Sequence, residues 1–157
     1  MTAVRLDCPS ADATLALGRR IGGVLLAGDL VVLTGSLGAG KTTLTRGIGE
    51  GLGVRGSATS PTFVISRVHP SLGDGPSLVH VDAYRIGSSA EIDDLDLDAS
   101  DAVTVVEWGE GRVEHLAESR LDIALAIGPG ADERTATVCP HGARWSDRKS
   151  TRLNSSH

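Results

Sequence analysis

Gly35-Ser36-Leu37-Gly38-Ala39-Gly40-Lys41-Thr42-Thr43 decides how this chain is read, because it fits the pattern G-x-x-x-x-G-K-[ST] at every fixed position. The apolar run Leu30-Val31-Val32-Leu33-Thr34 enters it as a buried strand, and Leu44 and Ile48 follow it at helical spacing. Strand, glycine-rich turn and helix, in that order, form the context the pattern requires. The glycines let successive backbone N–H groups turn toward one anion, and the helix adds its positive N-terminal end. The expectation is a polyphosphate site made by Gly35, Gly38, Ala39, Gly40, Lys41, Thr42 and Thr43. Within it Lys41 would reach the β- and γ-phosphates and the Thr42 hydroxyl would ligate Mg²⁺.

Upstream of this stretch, Ser10 offers an N-cap to a helix that carries Leu17, Ile21, Val24 and Leu25 on one face. Gly18, Gly22 and Gly23 each weaken that helix by about 1 kcal/mol relative to Ala, so packing against the sheet has to hold it. Downstream, the helix after Lys41 runs into glycines and is expected to close at Gly53. A small polar loop over 54–62 ends in Ser60-Pro61-Thr62. Residues 63–68 and 78–82 read as two strands of an antiparallel hairpin, and Val103-Thr104-Val105-Val106-Glu107 as a further buried strand. A short helix is expected over 111–119. Leu121, Ile123, Leu125 and Ile127 alternate as in a half-buried strand, and a last strand is expected near 135–139.

Composition bounds the possibilities. The chain has 157 residues, enough for one substantial core, and residues 1–146 are expected to form a single domain. With one Phe and one Tyr, that core must be built from Val, Leu, Ile and Ala. A formal net charge of −5 argues against gripping nucleic acid unaided, since such binding rests on Lys and Arg against phosphates. Two cysteines, Cys8 and Cys139, make neither a disulfide framework nor a four-thiolate metal site. The N-terminus lacks the pattern of a signal peptide and no apolar run has membrane-spanning length, so a soluble, cytoplasmic protein is expected. Residues 147–157 are polar and aperiodic, look like the translation of a sequencing-adapter oligonucleotide, and are read as a disordered, non-native tail.

A phosphate loop implies nucleotide binding, not a reaction. Two predicted strands end in carboxylates, Asp82 and Glu107, and in sheets of this class the strand C-terminal ends converge on the ligand crevice. One of them could hold Mg²⁺ while the other orients an attacking water. Thr62 lies between the loop helix and the next strand, where switch segments meet a γ-phosphate; an ordinary turn opening a strand is the plain alternative. The acidic run from Glu91 to Asp98 lacks the glycine and terminal glutamate of a calcium loop and reads as a solvated face. His69, His80 and His115 have no metal-ligand spacing and are read as surface or packing residues.

The segments Gly38-Ala39-Gly40-Lys41-Thr42-Thr43-Leu44-Thr45-Arg46-Gly47, Ser60-Pro61-Thr62-Phe63, His80-Val81-Asp82-Ala83-Tyr84-Arg85 and Val106-Glu107-Trp108 occur in one order and spacing. Together they resemble the TsaE (YjeE) family, over roughly residues 10 to 140. The resemblance implies a three-layer α/β P-loop NTPase fold with a mainly parallel sheet and antiparallel additions. It implies ATP and Mg²⁺ as ligands, and a weak ATPase that cycles a complex with the proteins TsaB and TsaD, touching tRNA only indirectly and no membrane. It also implies Thr42 and Glu107 at the metal, with Asp82 and Thr62 near the γ-phosphate. Ser36 stands where that family usually carries Asp; the position is variable in the general pattern, so nucleotide binding is expected to survive. Phe63, Tyr84 and Trp108 all fall inside these segments, and Trp108 is expected to line the nucleotide site or a partner surface. Residues from Ser10 to Thr14 and Arg134 are candidates to approach the base or ribose. Two other readings compete: a small-molecule kinase, disfavoured by the lack of an arginine-rich lid, and a GTP-dependent switch, disfavoured by the lack of an N-K-x-D element.

Overall fold

Ser10 has extended backbone, and its hydroxyl accepts a hydrogen bond from the Ala13 N–H at 3.1 Å, so the first helix starts where the sequence predicts. The computed structural model describes residues 3–36, 38–54, 66–82, 102–107 and 119–145. In chain order their elements are β1 (Val4–Cys8), α1 (Ala11–Val24), β2 (Leu30–Thr34), α2 (Lys41–Leu52), β3 (Ser66–His69), β4 (Ser77–Asp82), β5 (Ala102–Glu107), β6 (Arg120–Ile127) and β7 (Arg134–His141), followed by a 3-10 turn, Ala143–Trp145. The expected helix over 111–119 and the first residues of the strand expected from Phe63 lie outside the described residues.

All seven strands form one sheet in the order β1-β7-β6-β2-β5-β4-β3. β6, β2, β5 and β4 run parallel to one another at its centre, while β7 and β1 on one side and β3 on the other add antiparallel edges. This is the mixed α/β architecture expected from the sequence, and β3 with β4 is the expected hairpin. Every residue of β5 is buried, as a near-continuous apolar run at the centre of a parallel sheet should be. Leu17, Ile21, Leu44 and Ile48 of the two helices join Val31, Leu33, Val103, Val105, Leu121 and Ile123 of the sheet in one buried cluster. Val32, Val79, Val81 and Val106, on the opposite face, are buried as well, as a three-layer arrangement requires.

One expectation about α1 is corrected. The sheet is not alone in holding it, because Gly18 and Gly22 form the contact with α2. A Cβ on Gly18 would stand 2.4 Å from the Leu44 carbonyl oxygen, and one on Gly47 would stand 2.3 Å from that of Leu15. Only bare backbone permits so close an approach. The alternation along β6 is also shorter than predicted: Leu121, Ile123 and Leu125 are buried, whereas Ile127, at the turn into β7, is 54% exposed. Gly53 closes α2 in the left-handed conformation, as expected.

Candidate functional site

β2 delivers the chain to Gly35, and α2 begins at Lys41, so the glycine-rich stretch spans the C-terminal end of a central strand and the N-terminal end of a helix. Gly38 and Gly40 adopt φ of 80° and 97°, a left-handed backbone that favours glycine. The Ala39 N–H bonds back to the Ser36 carbonyl at 3.0 Å, which tightens the turn. Gly40 caps α2 without any side-chain bond, and no acid lies in the first turn. The leading N–H groups and the positive helix end are thereby left for an anion. Gly38 is open: among the described residues other than its chain neighbours, no atom lies within 4 Å of where a Cβ would be.

Lys41 is 6% exposed, and its ammonium donates to the carbonyls of Gly35 at 2.7 Å and Ser36 at 3.1 Å. These bonds anchor the cation to the loop. Thr42 is exposed, Thr43 half-buried and Ala39 buried. Arg134, at the start of β7, reaches the same loop: its Nη2 donates to the Gly38 carbonyl at 3.0 Å, while Nη1 donates to the carbonyls of Ala131 and Glu133. A Cβ on Gly40 would meet Thr14 Cγ2 at 3.7 Å and Arg134 Cγ at 3.9 Å. Thr14 and Arg134, both flagged in the sequence, therefore flank the loop.

Glu107 closes β5, and the pairing register sets it opposite Leu33 of β2, two residues before the loop, and opposite Asp82 of β4. The two predicted strand-end residues are thus paired on adjacent strands, with Glu107 on the strand next to the loop's entry. Glu107 is 3% exposed, and its Oε2 lies 2.5 Å from Nε2 of His80, which is fully buried. Burying a carboxylate is costly unless it is partnered, and the imidazole is that partner. Sequence reasoning missed His80 by leaving it among surface or packing histidines. The usable signal was its spacing: two residues before the strand-end Asp82, it falls on the same strand face, which only a known register aligns with Glu107. Thr62, Phe63, Tyr84, Arg85, Trp108 and the run from Glu91 to Asp98 lie outside the described residues.

The donor set fits a polyphosphate with a hard divalent cation: an ammonium, uncapped backbone N–H groups, a helix-start hydroxyl and a buried carboxylate. Among the described residues, no group of three or more His, Cys, Asp or Glu could hold a metal. A cation bound through one or two protein oxygens and completed by phosphate oxygens needs no such cage. No helix among the described residues is long and apolar enough to cross a membrane.

Comparison with known proteins extends the argument from the site to the whole chain. The chain is 67% identical over 135 residues to the tRNA threonylcarbamoyladenosine biosynthesis protein TsaE of Streptomyces coelicolor, covering 82% of this chain and 91% of that one. It is 50% identical to the protein of the same name from Mycobacterium tuberculosis, covering 82% of each chain. The Bacillus subtilis protein of that name is 38% identical, covering 85% of this chain and 84% of its own. Among solved structures, the crystal structure of Bacillus subtilis YdiB is similar with a TM-score of 0.74 at 28% identity, covering 98% of this chain and 95% of that one. A family model described as threonylcarbamoyl adenosine biosynthesis protein TsaE matches residues 8–136, from the end of β1 into β7 and across the whole of the site. The chain belongs to the TsaE family.

Proposed function

We propose that this chain is a Mg²⁺-dependent ATPase that binds and hydrolyses ATP to drive the cycle of the assembly making threonylcarbamoyladenosine in tRNA, together with TsaB and TsaD proteins. The reading is supported above all by one juxtaposition: the uncapped start of α2 with its anchored Lys41, beside the buried carboxylate of Glu107 on the neighbouring strand. When bound, Mg²⁺ neutralises charge on the β- and γ-phosphate oxygens. Gly35, Gly38, Ala39, Gly40 and Thr43 supply backbone N–H groups and shape, and Lys41 binds the terminal phosphates. Thr42 and Glu107 hold the cation through their oxygens. Asp82 and Thr62 orient the attacking water or sense the γ-phosphate, and Trp108 lines the nucleotide or the partner surface. Family membership supports the tRNA-modification setting.

The deciding experiment measures equilibrium binding of ATP and GTP with and without Mg²⁺, and phosphate release with and without the two partner proteins. ATP preference, Mg²⁺ dependence and release stimulated by the partners are expected. Transfer of phosphate to a small molecule, or preference for GTP, would replace this reading by a kinase or a GTP switch. Lys41→Ala should cut turnover by about 10²–10³-fold with an unchanged circular dichroism spectrum. Asp82→Ala should lower turnover more than ATP affinity; equal turnover in that variant removes its catalytic role.

A further inference from the structure

His80 is a fully buried imidazole, and among the described residues one of its two ring nitrogens has a partner. Nε2 meets Glu107 Oε2 at 2.5 Å, whereas Nδ1 is buried and has no hydrogen-bond partner among the described residues. A carboxylate oxygen accepts, so Nε2 is the nitrogen that donates in this contact. The bond takes one oxygen of Glu107 and leaves Oε1 without a hydrogen bond to any described residue. Both side chains stand on the face of the sheet that packs against the helices, because His80 shares its strand face with Leu78, and Glu107 shares its own with Val105. The loop entry lies one strand over.

We propose that His80 is a positioning residue for Glu107: its Nε2–H holds the carboxylate at the end of β5 in one orientation, so that a divalent cation at the phosphate loop meets its other oxygen, already fixed in place. This rests on the Mg²⁺-nucleotide reading of the site. The physical logic is that of outer-shell partners generally. A ligating group that is free to rotate must be ordered at the moment of binding, and a hydrogen bond from a buried donor orders it beforehand. Packing alone would not require a nitrogen here, since a leucine fills similar space, yet the position carries a polar ring with one nitrogen unmatched.

The test compares His80→Leu with His80→Gln, whose side-chain amide keeps an N–H donor at a similar reach. The readout is ATP-analogue affinity as a function of Mg²⁺ and in EDTA. Expected for His80→Leu is a rise of about 10–100-fold in the Mg²⁺ concentration for half-maximal tight binding. Affinity in EDTA should be unchanged, which also reports that the loop is folded. His80→Gln should recover most of the loss. An unchanged Mg²⁺ requirement in His80→Leu, or no recovery in His80→Gln, overturns the proposal. On the unaltered chain, ¹⁵N NMR should show a proton on Nε2 of the His80 ring; an Nε2 without a proton overturns the proposal even if neither variant folds. If the unaltered chain shows no Mg²⁺-dependent nucleotide binding, the functional reading falls and takes this role with it. Mg²⁺ dependence that is indifferent to His80 defeats only the positioning role.

Discussion

Lys41 and Thr42 are adjacent in sequence yet sit in opposite environments, one buried under its own loop carbonyls and the other exposed at the helix start. Both placements, at the loop and at the helix start, were legible because the motif specifies residue type and context together. His80 was not, since a lone histidine in a strand acquires meaning only from what the neighbouring strand places beside it. Cys8 shows the same dependence on surroundings. It is 2% exposed, and burial pushes its thiol above the ordinary value, opposed by a hydrogen bond from Thr14 and the charge of Arg20. The folded chain thus favours the neutral thiol more than the unfolded chain does. Below the ordinary thiol pKa both states are protonated and nothing is lost; above it the unfolded chain gives up its proton first, so stability falls as pH rises. Thermal melts from about pH 8 to pH 10.5 should show this decline, and Cys8→Ala should flatten it. An equal slope in the variant would assign the decline to other groups.

At the scale of elements, helix propensity and packing make opposite forecasts for the glycines of α1, and the structure says which prevails at each. By propensity, Ala at position 18 or 23 gains about 1 kcal/mol. At Gly18 the new methyl would press on the backbone of α2, at 2.4 Å from the Leu44 carbonyl oxygen, where no side-chain rotation relieves it. A Cβ on Gly23 would meet nothing within 4 Å among the described residues beyond its own helix backbone and chain neighbours. Gly18→Ala should therefore destabilise by about 1–3 kcal/mol, lowering the melting temperature by roughly 2–10 °C. Gly23→Ala should raise it by roughly 1–4 °C. A rise for both would mean that the helices separate at no cost. The helices themselves were readable from periodicity, but their contact was not, because a glycine looks like a helix breaker until its neighbour across the interface is known.

Across the whole molecule, the two ends of β2 serve different purposes, roughly 17 Å apart at strand spacing. One end opens into the glycine-rich loop. At the other, Asp29 accepts from the Leu26 N–H at 2.6 Å and from the Arg144 guanidinium at 3.0 and 3.2 Å. Arg144 also donates to the Val24 carbonyl and stacks 4.1 Å from the centre of the Trp145 ring, which is 1% exposed. This cluster fastens the 3-10 turn after β7 to the junction of α1 and β2. Asp29→Ala would strand a largely buried guanidinium, and a loss of about 3 kcal/mol in denaturant unfolding is expected. Adding Arg144→Met should restore part of it by removing the uncompensated charge. Nucleotide affinity of the folded variants should not change, since the loop is at the far end of the strand.

The order of strand, loop and helix, the polarity of each strand face and the chemistry of the loop were determined by the sequence, because these depend on residues near one another along the chain. Hydrophobic period and turn-forming glycines act locally, and so they can be read locally. The tertiary structure decided which strands are neighbours and in what register. That brought Glu107 beside the loop entry and His80 beneath it, and carried Arg134 across 96 positions to the Gly38 carbonyl. These pairings join residues far apart in the chain, and a one-residue slip in register would turn each side chain to the other face. No local pattern carries that information; only the packed sheet does.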